Sequence, residues 1–225
     1  GPTPESNWVI PGVLLVGAYP ASEDDEDTFE LISSILKQGI TKFVCLQSEV
    51  SSSIPRHVWI SGGALRPYYE DVQHIVSLKD TTPEFRGYKI VDTDNLSFDH
   101  CPIIDCGVTD DSKVLSLAMK LVKDISEGEV VYLHCWGGHG RTGTVVCIML
   151  HLLYGMSWKE SFEYCQAVHD LRTCPVEVGS PQTQQQRMQV IRVIELLMAE
   201  YEDRKVAQET AALQRFHTQL LEQSQ

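Results

Sequence analysis

The stretch LHCWGGHGRTGTVV (residues 133–146) runs from the end of an apolar segment, through a loop with three glycines, into a helical pattern. Strand, glycine-rich loop, helix is a geometry that binds phosphate. Successive loop N–H groups point inward, and the helix N-terminus adds partial positive charge. Gly137, Gly138 and Gly140 let the backbone curl without Cβ clashes. Arg141 offers a planar fork that takes two phosphate oxygens at once. This is not an ATP loop, because G-x-x-x-x-G-K-[ST] is absent.

Cys135 would lie at the bottom of that cradle. The loop N–H groups, the helix end and Arg141 all favour a thiolate there, so its pKa is expected below the ordinary thiol value of about 8.5. A thiolate in line with a bound phosphorus is a nucleophile, and the expected chemistry is phosphoryl transfer through a phosphocysteine. His134 can orient the loop by hydrogen bonds, and Thr142 can donate to the thiolate or help expel it. The alternative is a buried structural cysteine in a strand–turn–helix connection. The complete pattern H-C-x5-R-T-G favours the chemical reading.

Around this segment the chain alternates helix and strand. NWVIPGVLLVGAYP (7–20) reads as one or two strands with a turn at Pro11-Gly12. A helix follows the acidic run SEDDED (22–27), with Asp27 as its cap, Phe29, Ile32, Ile35 and Leu36 on one face, and Gly39 as terminator. TKFVCL (41–46) is a strand. Residues 47–100 mix polar and turn residues with short apolar pieces such as HVWI and YKIV, and loops with short strands are expected there. Val114, Leu117, Ala118, Leu121, Val122 and Ile125 mark a helix closed by Gly128. EVVYLH (129–134) is a buried strand, Thr142–Tyr154 an apolar helix, and SWKE (157–160) the capping box of another. SPQT (180–183) opens the last long helix, with Met188, Ile191, Ile194, Leu197 and Met198 as its inner face.

These elements predict an α/β fold, a central mixed or parallel sheet flanked by helices on both faces. The expected boundaries are a flexible N-terminus at 1–7, a phosphatase domain at 8–201 and a polar helical extension or tail at 202–225. In that tail Leu213, Phe216 and Leu220 keep helical spacing, a candidate surface for a protein partner.

Composition bounds the function. The 225 residues include 18 Lys and Arg against 31 Asp and Glu, a formal net charge of −13. Nucleic acid and anionic membrane are therefore not expected partners. No apolar run approaches the roughly 20 residues of a membrane span. The N-terminus lacks a basic-then-apolar leader pattern, and the seven cysteines form no CxxC pair. A reducing, cytoplasmic setting without a disulfide framework is expected, as is chemistry without metal or other cofactor.

The string H-C-x5-R-T-G resembles the signature of the cysteine-based protein tyrosine phosphatase superfamily. The resemblance implies a protein tyrosine phosphatase-like fold and a general acid on a loop roughly 30 residues before the cysteine. Asp105, in CPIIDCGVTDD (101–111), lies in that place, and its P-I-x-D setting looks like the acid loop of dual-specificity phosphatases. Asp110 and Asp111 are rivals for the role and read more simply as a helix cap. PQTQQQ (181–186) resembles the glutamine loop that positions the hydrolytic water, which implicates Gln182 and Gln186. The intervening loop residues Trp136, Gly137, Gly138, His139 and Gly140 would bind the substrate phosphate together with Arg141.

The loop holds no lysine, whereas inositol phosphate phosphatases of this superfamily usually carry lysines there. The resemblance thus implies a phosphorylated protein substrate, phosphotyrosine with phosphoserine or phosphothreonine in addition. Tyr68 and Tyr69 are candidates for an aromatic wall. Cys45, Cys101 and Cys106 are candidates for a redox partner of Cys135, set against the simpler reading as packed thiols. Two other readings stay open: a phosphatase of a non-protein ester such as an inositol phosphate, and a phosphate-binding scaffold without turnover.

Overall fold

The computed structural model describes residues 1–51, 53–174 and 176–223. Five strands form one sheet in the order β1-β2-β5-β3-β4. They are β1 (Ser6–Ile10), β2 (Leu14–Gly17), β3 (Lys42–Gln47), β4 (Ser97–Ile103) and β5 (Val131–His134). β1 and β2 are antiparallel; β2, β5, β3 and β4 run parallel. The helices are α1 (Asp25–Leu36), α2 (Arg56–Trp59), α3 (Tyr69–Ser77), α4 (Asp111–Ser126), α5 (Gly140–Tyr154), α6 (Trp158–Asp170) and α7 (Gln184–Gln223).

Side chains alternate across the inner strands because successive Cβ atoms point to opposite faces. Val131 and Leu133 of β5, with Val44 and Leu46 of β3, face a core that includes Val114 and Leu121 of α4 and Val145 and Ile148 of α5. Tyr132 and Phe43 face a second core with Ile32 and Ile35 of α1 and Val72 and Ile75 of α3. The fold is the expected α/β sandwich. α5 is apolar all round because other helices cover it: every residue from Gly140 to Leu150 is buried. Gly155 ends it in the left-handed region, at φ 68°. The Ser157–Glu160 capping box forms as read.

Several expectations are corrected. Ser6 and Asn7, assigned to a flexible N-terminus, open β1, and Ser6 is buried. The cap of α1 is Asp24, whose carboxylate accepts from the N–H groups of Glu26 and Asp27. The region 47–100 holds helices: HVW lies in α2, and Tyr69–Ser77 forms α3. YKIV forms no regular element, whereas β4 occupies 97–103. α7 begins at Gln184 and buries Gln186, Gln189, Val190, Val193 and Ile194, while Met188 and Met198 are exposed. The inner stripe is rotated because two glutamines turn inward. Gln186 donates to Gly107 O at 3.1 Å, and Gln189 donates to Thr109 O. An apolar-only count could not register them. Residues 202–223 continue α7; the side chains of Leu213, Phe216 and Leu220 lie outside the described residues. No described helix is long and apolar enough to cross a membrane.

Candidate active site

Parallel strands present their carboxyl ends on one edge, where ligands of open α/β sheets bind. Here β2 leads to Tyr19, β3 to Glu49, β4 to Asp105 and β5 to Cys135. Four segments far apart in sequence therefore converge because their strands are parallel neighbours.

The loop after β5 is held open from behind. Trp136 O accepts from Tyr19 N–H at 2.9 Å. Arg172, just past α6, donates to Gly137 O at 2.9 Å and Gly138 O at 2.6 Å. Ser180 Oγ donates to His139 O at 3.1 Å. A peptide's C=O and N–H point in opposite directions, so tying back these carbonyls turns the N–H groups of residues 137–140 the other way. That is an anion-binding nest. Gly138 sits at φ 68°, and a Cβ there would lie 2.1 Å from Gly17 O. Only glycine meets both conditions.

Cys135 is buried at the base of a cleft of about 130 Å³. Asp105, Cys106, Arg141, Gln182 and Gln186 line it with the loop. A larger cleft of about 340 Å³, at residues 79–90, contains none of the expected residues. Arg141 is almost fully buried and its fork is filled. Nη1 donates to Glu49 Oε2 at 2.8 Å and to Ile103 O at 2.9 Å, and Nη2 donates to Asp105 Oδ1 at 2.9 Å. Burial alone would push Glu49 up, yet its hydrogen bonds to Arg141 outweigh that and hold it below the ordinary carboxylate value.

His134 is fully buried, and burial pushes its pKa down to about 3. Its Nδ1 faces Cys135 O at 3.4 Å, and a carbonyl only accepts, so Nδ1 carries the proton. Nε2 then accepts from Tyr68 O–H at 2.6 Å. Tyr68 is thus no aromatic wall: it is buried behind the loop. The exposed ring at the mouth is Trp136, stacked on Tyr19 with centroids 6.0 Å apart.

The glutamines divide. Gln186 is buried, its Oε1 accepting from Gln182 N–H and Thr183 N–H and its Nε2 donating to Gly107 O. It ties the segment after Asp105 to the start of α7. The side chain of Gln182 is exposed and makes no hydrogen bond to the described residues. Thr142 Oγ1 is buried without a partner among the described residues. Asp110 makes no side-chain cap bond, and Asp111 pairs with Arg192 at 2.9 Å. All seven cysteines are free; Cys45 and Cys101 are buried, and Cys106 is exposed at φ 57°. Among the described residues no cluster of His, Cys, Asp and Glu could hold a metal.

The family described as PTP-SAK, a Swiss Army Knife protein DSP-PTPase phosphatase domain, matches residues 68–199, more than half of the chain. The chain belongs to this family. Its Cys135 loop, α4 to α6 and the start of α7 fall within the matched residues, whereas Glu49 and Tyr19 precede them. Protein 067L of Invertebrate iridescent virus 3, which carries a tyrosine phosphatase name, is 40% identical over 52 residues. That stretch is 23% of this chain and 22% of the viral protein. Among solved structures, Tk-PTP in its active form has a TM-score of 0.56 at 19% identity, covering 85% of this chain and 97% of its own. The kinase-associated phosphatase KAP, with its catalytic-site cysteine replaced by serine, has a TM-score of 0.56 at 16% identity over 87% of this chain and 95% of its own. Human DUSP28 scores 0.52 at 13% identity over 87% and 97%. The likenesses to solved structures show the fold, and the family is one of phosphatase domains.

Glu49 and Arg172 are residues around the cleft that the sequence did not reveal, whereas Tyr68, expected as an aromatic wall, supports His134 instead. Each acts from another element and carries no local motif.

Proposed function

We propose that this domain is a protein phosphatase that hydrolyses phosphotyrosine, and phosphoserine or phosphothreonine in addition, through a phosphocysteine at Cys135. One observation carries the reading. The N–H groups of residues 137–140 turn away from four tied-back carbonyls, around a buried thiol with an arginine fork beside it. Such preorganised donors stabilise charge that develops on transferring phosphoryl oxygens.

Cys135 Sγ attacks phosphorus, the S–P bond forms, and the bond to the leaving oxygen breaks. Asp105, at the cleft mouth, gives its proton to that oxygen. Water then attacks the phosphocysteine, Asp105 takes a proton from it, and the S–P bond breaks to release inorganic phosphate. Gln182, exposed and unengaged at the cleft, is the glutamine able to hold that water. Gln186 is engaged with backbone and serves to place the loops. Arg141 takes two phosphate oxygens, with Glu49 holding its other edge.

The exposed Trp136–Tyr19 stack offers a flat apolar surface to an aryl phosphate. The loop offers no lysine for additional phosphates. Both support a singly phosphorylated side chain over an inositol phosphate. A panel of phosphotyrosine, phosphoserine and phosphothreonine peptides alongside inositol phosphates tests this. The reading predicts the highest kcat/KM on phosphotyrosine peptides. Preference for an inositol phosphate by tenfold or more, on the order of 1.4 kcal/mol, would overturn it.

A further inference from the structure

Behind the phosphate loop lies a small cavity of about 10 Å³, lined by Gly138, Thr142, His169, Arg172 and Ser180 together with apolar side chains of β1, β2, α5 and α6. It sits on the far side of the loop from the cleft. Three of its lining residues carry a buried polar atom without a partner among the described residues: Thr142 Oγ1, His169 Nε2 and Arg172 Nε. All three residues are more than nine-tenths buried. A buried polar atom without a partner is destabilising, and three of them around one cavity point to a shared partner.

The donor and acceptor roles identify that partner. His169 Nδ1 faces Asp170 Oδ1 at 3.1 Å, and a carboxylate only accepts. Nδ1 therefore carries the proton and Nε2 is a bare acceptor. Burial pushes the His169 pKa down and, aided by the Arg172 charge, outweighs the upward pull of the Asp170 carboxylate, so the ring is neutral at neutral pH. Arg172 Nε is a donor only, and a hydroxyl can do either. One acceptor, one donor and one ambivalent group match a single water. The volume suits one water-sized molecule. A cation would meet the Arg172 guanidinium, and a polyatomic anion needs more room.

We propose that this cavity binds one structural water, which accepts from Arg172 Nε–H and donates to His169 Nε2 and to Thr142 Oγ1. The oxygen of Thr142 is then occupied as an acceptor, and its own proton, which has no partner among the described residues, is in this proposal turned to the Cys135 sulfur when the S–P bond breaks. His169 is thus a positioning residue that acts on the leaving thiolate through the water and Thr142. This role rests on the phosphocysteine reading; the water site does not.

Two measurements separate the claims. A crystal structure of the wild-type protein at high resolution is expected to show a water within about 2.6–3.2 Å of all three atoms. Density without a water, or Thr142 Oγ1 bonded elsewhere, overturns the site whatever the enzyme does. A double-mutant cycle with H169F and T142V then tests the role by phosphate release from an aryl phosphate. H169F is expected to lower kcat roughly tenfold, the scale of one lost hydrogen bond, with KM little changed, and to have no further effect in the T142V background. An equal loss in both backgrounds overturns the positioning role. Absence of turnover in the wild type would defeat the phosphatase reading and leave the water to the crystallographic test.

Discussion

Asp105 Oδ1 lies 2.9 Å from Nη2 of Arg141, so the proposed proton donor occupies the edge of the proposed phosphate clamp. Glu49 holds Nη1 of the same guanidinium. Ile103 O takes the second hydrogen of Nη1, so a phosphate dianion bound across Nε and Nη2 must displace Asp105. The carboxylate is then free at the cleft mouth, beside the leaving oxygen.

Removing that competition while keeping the shape should strengthen anion binding. In Asp105→Asn the inhibition constant of inorganic phosphate is expected to fall roughly fivefold, the size of an exposed ion pair of about 1 kcal/mol. Turnover should fall by roughly a hundredfold or more on alkyl phosphates, the range of general acid catalysis, and less on aryl phosphates, whose leaving groups need less help. Weaker phosphate binding in the variant would show that Asp105 does not compete for Arg141.

Glu49 holds its proton less tightly in the fold than in an open chain, because the Arg141 hydrogen bonds outweigh its burial. A carboxyl with a depressed folded pKa contributes stability above its ordinary value, here 4.5, and loses it as pH falls through the folded value. Glu49→Gln should therefore flatten the stability curve below pH 4.5. It should also reduce kcat/KM by roughly tenfold or more through a misplaced guanidinium, given the worth of charge-assisted hydrogen bonds. Urea unfolding across pH and steady-state kinetics check the two effects. A curve that superimposes on the wild type would contradict the pairing.

His134 stays neutral in the fold because burial pushes its pKa from 6.5 to about 3. The unfolded chain takes up a proton near 6.5 and the folded one does not, so stability drains away as pH falls from 6.5 toward 3. Its ring resonances in NMR should not shift between pH 8 and pH 5. Tyr68→Phe should cost roughly 1–3 kcal/mol, since it leaves Nε2 buried without a donor. A ring that titrates near pH 6.5 would mean that His134 is not buried in solution as described, and an unchanged stability in Tyr68→Phe would mean that its hydrogen bond to Nε2 does not form.

Gly138 combines φ 68° with a carbonyl 2.1 Å from where a Cβ would stand. Gly138→Ala must move either β2 or the loop, and should destabilise by roughly 3 kcal/mol or more, summing left-handed strain and a clash with rigid backbone. A change within about 0.5 kcal/mol, the range of an uninvolved surface position, would show that β2 does not back the loop as described.

The legible part of this molecule was the part that is local. Residues 131–155 carry strand, glycine loop and apolar helix in one continuous run, so fold class and cradle followed from one segment. Elements that depend on distant partners were hidden. Glu49 reaches Arg141 from 92 residues upstream, and in sequence it is one acidic residue in a polar stretch. Arg172 looks like the end of a helix until its fork meets two loop carbonyls. Tyr68 and Tyr69 stand in sequence as candidates for an aromatic wall, whereas in the fold Tyr68 is buried and supports His134. The inward face of α7 departs from its apolar spacing because Gln186 and Gln189 donate their amides to backbone oxygens of the segment after Asp105, which puts polar residues inside.

Everything proposed for turnover runs through one sulfur. The most direct measurement is acid-quenched mass spectrometry of the protein during hydrolysis of an aryl phosphate in the presence of a chelator, for the wild type and for Cys135→Ser. The account predicts steady turnover and a phosphate adduct mapped to Cys135 in the wild type, with neither turnover nor adduct in the variant. Hydrolysis that persists in Cys135→Ser, or that the chelator abolishes in the wild type, would contradict it.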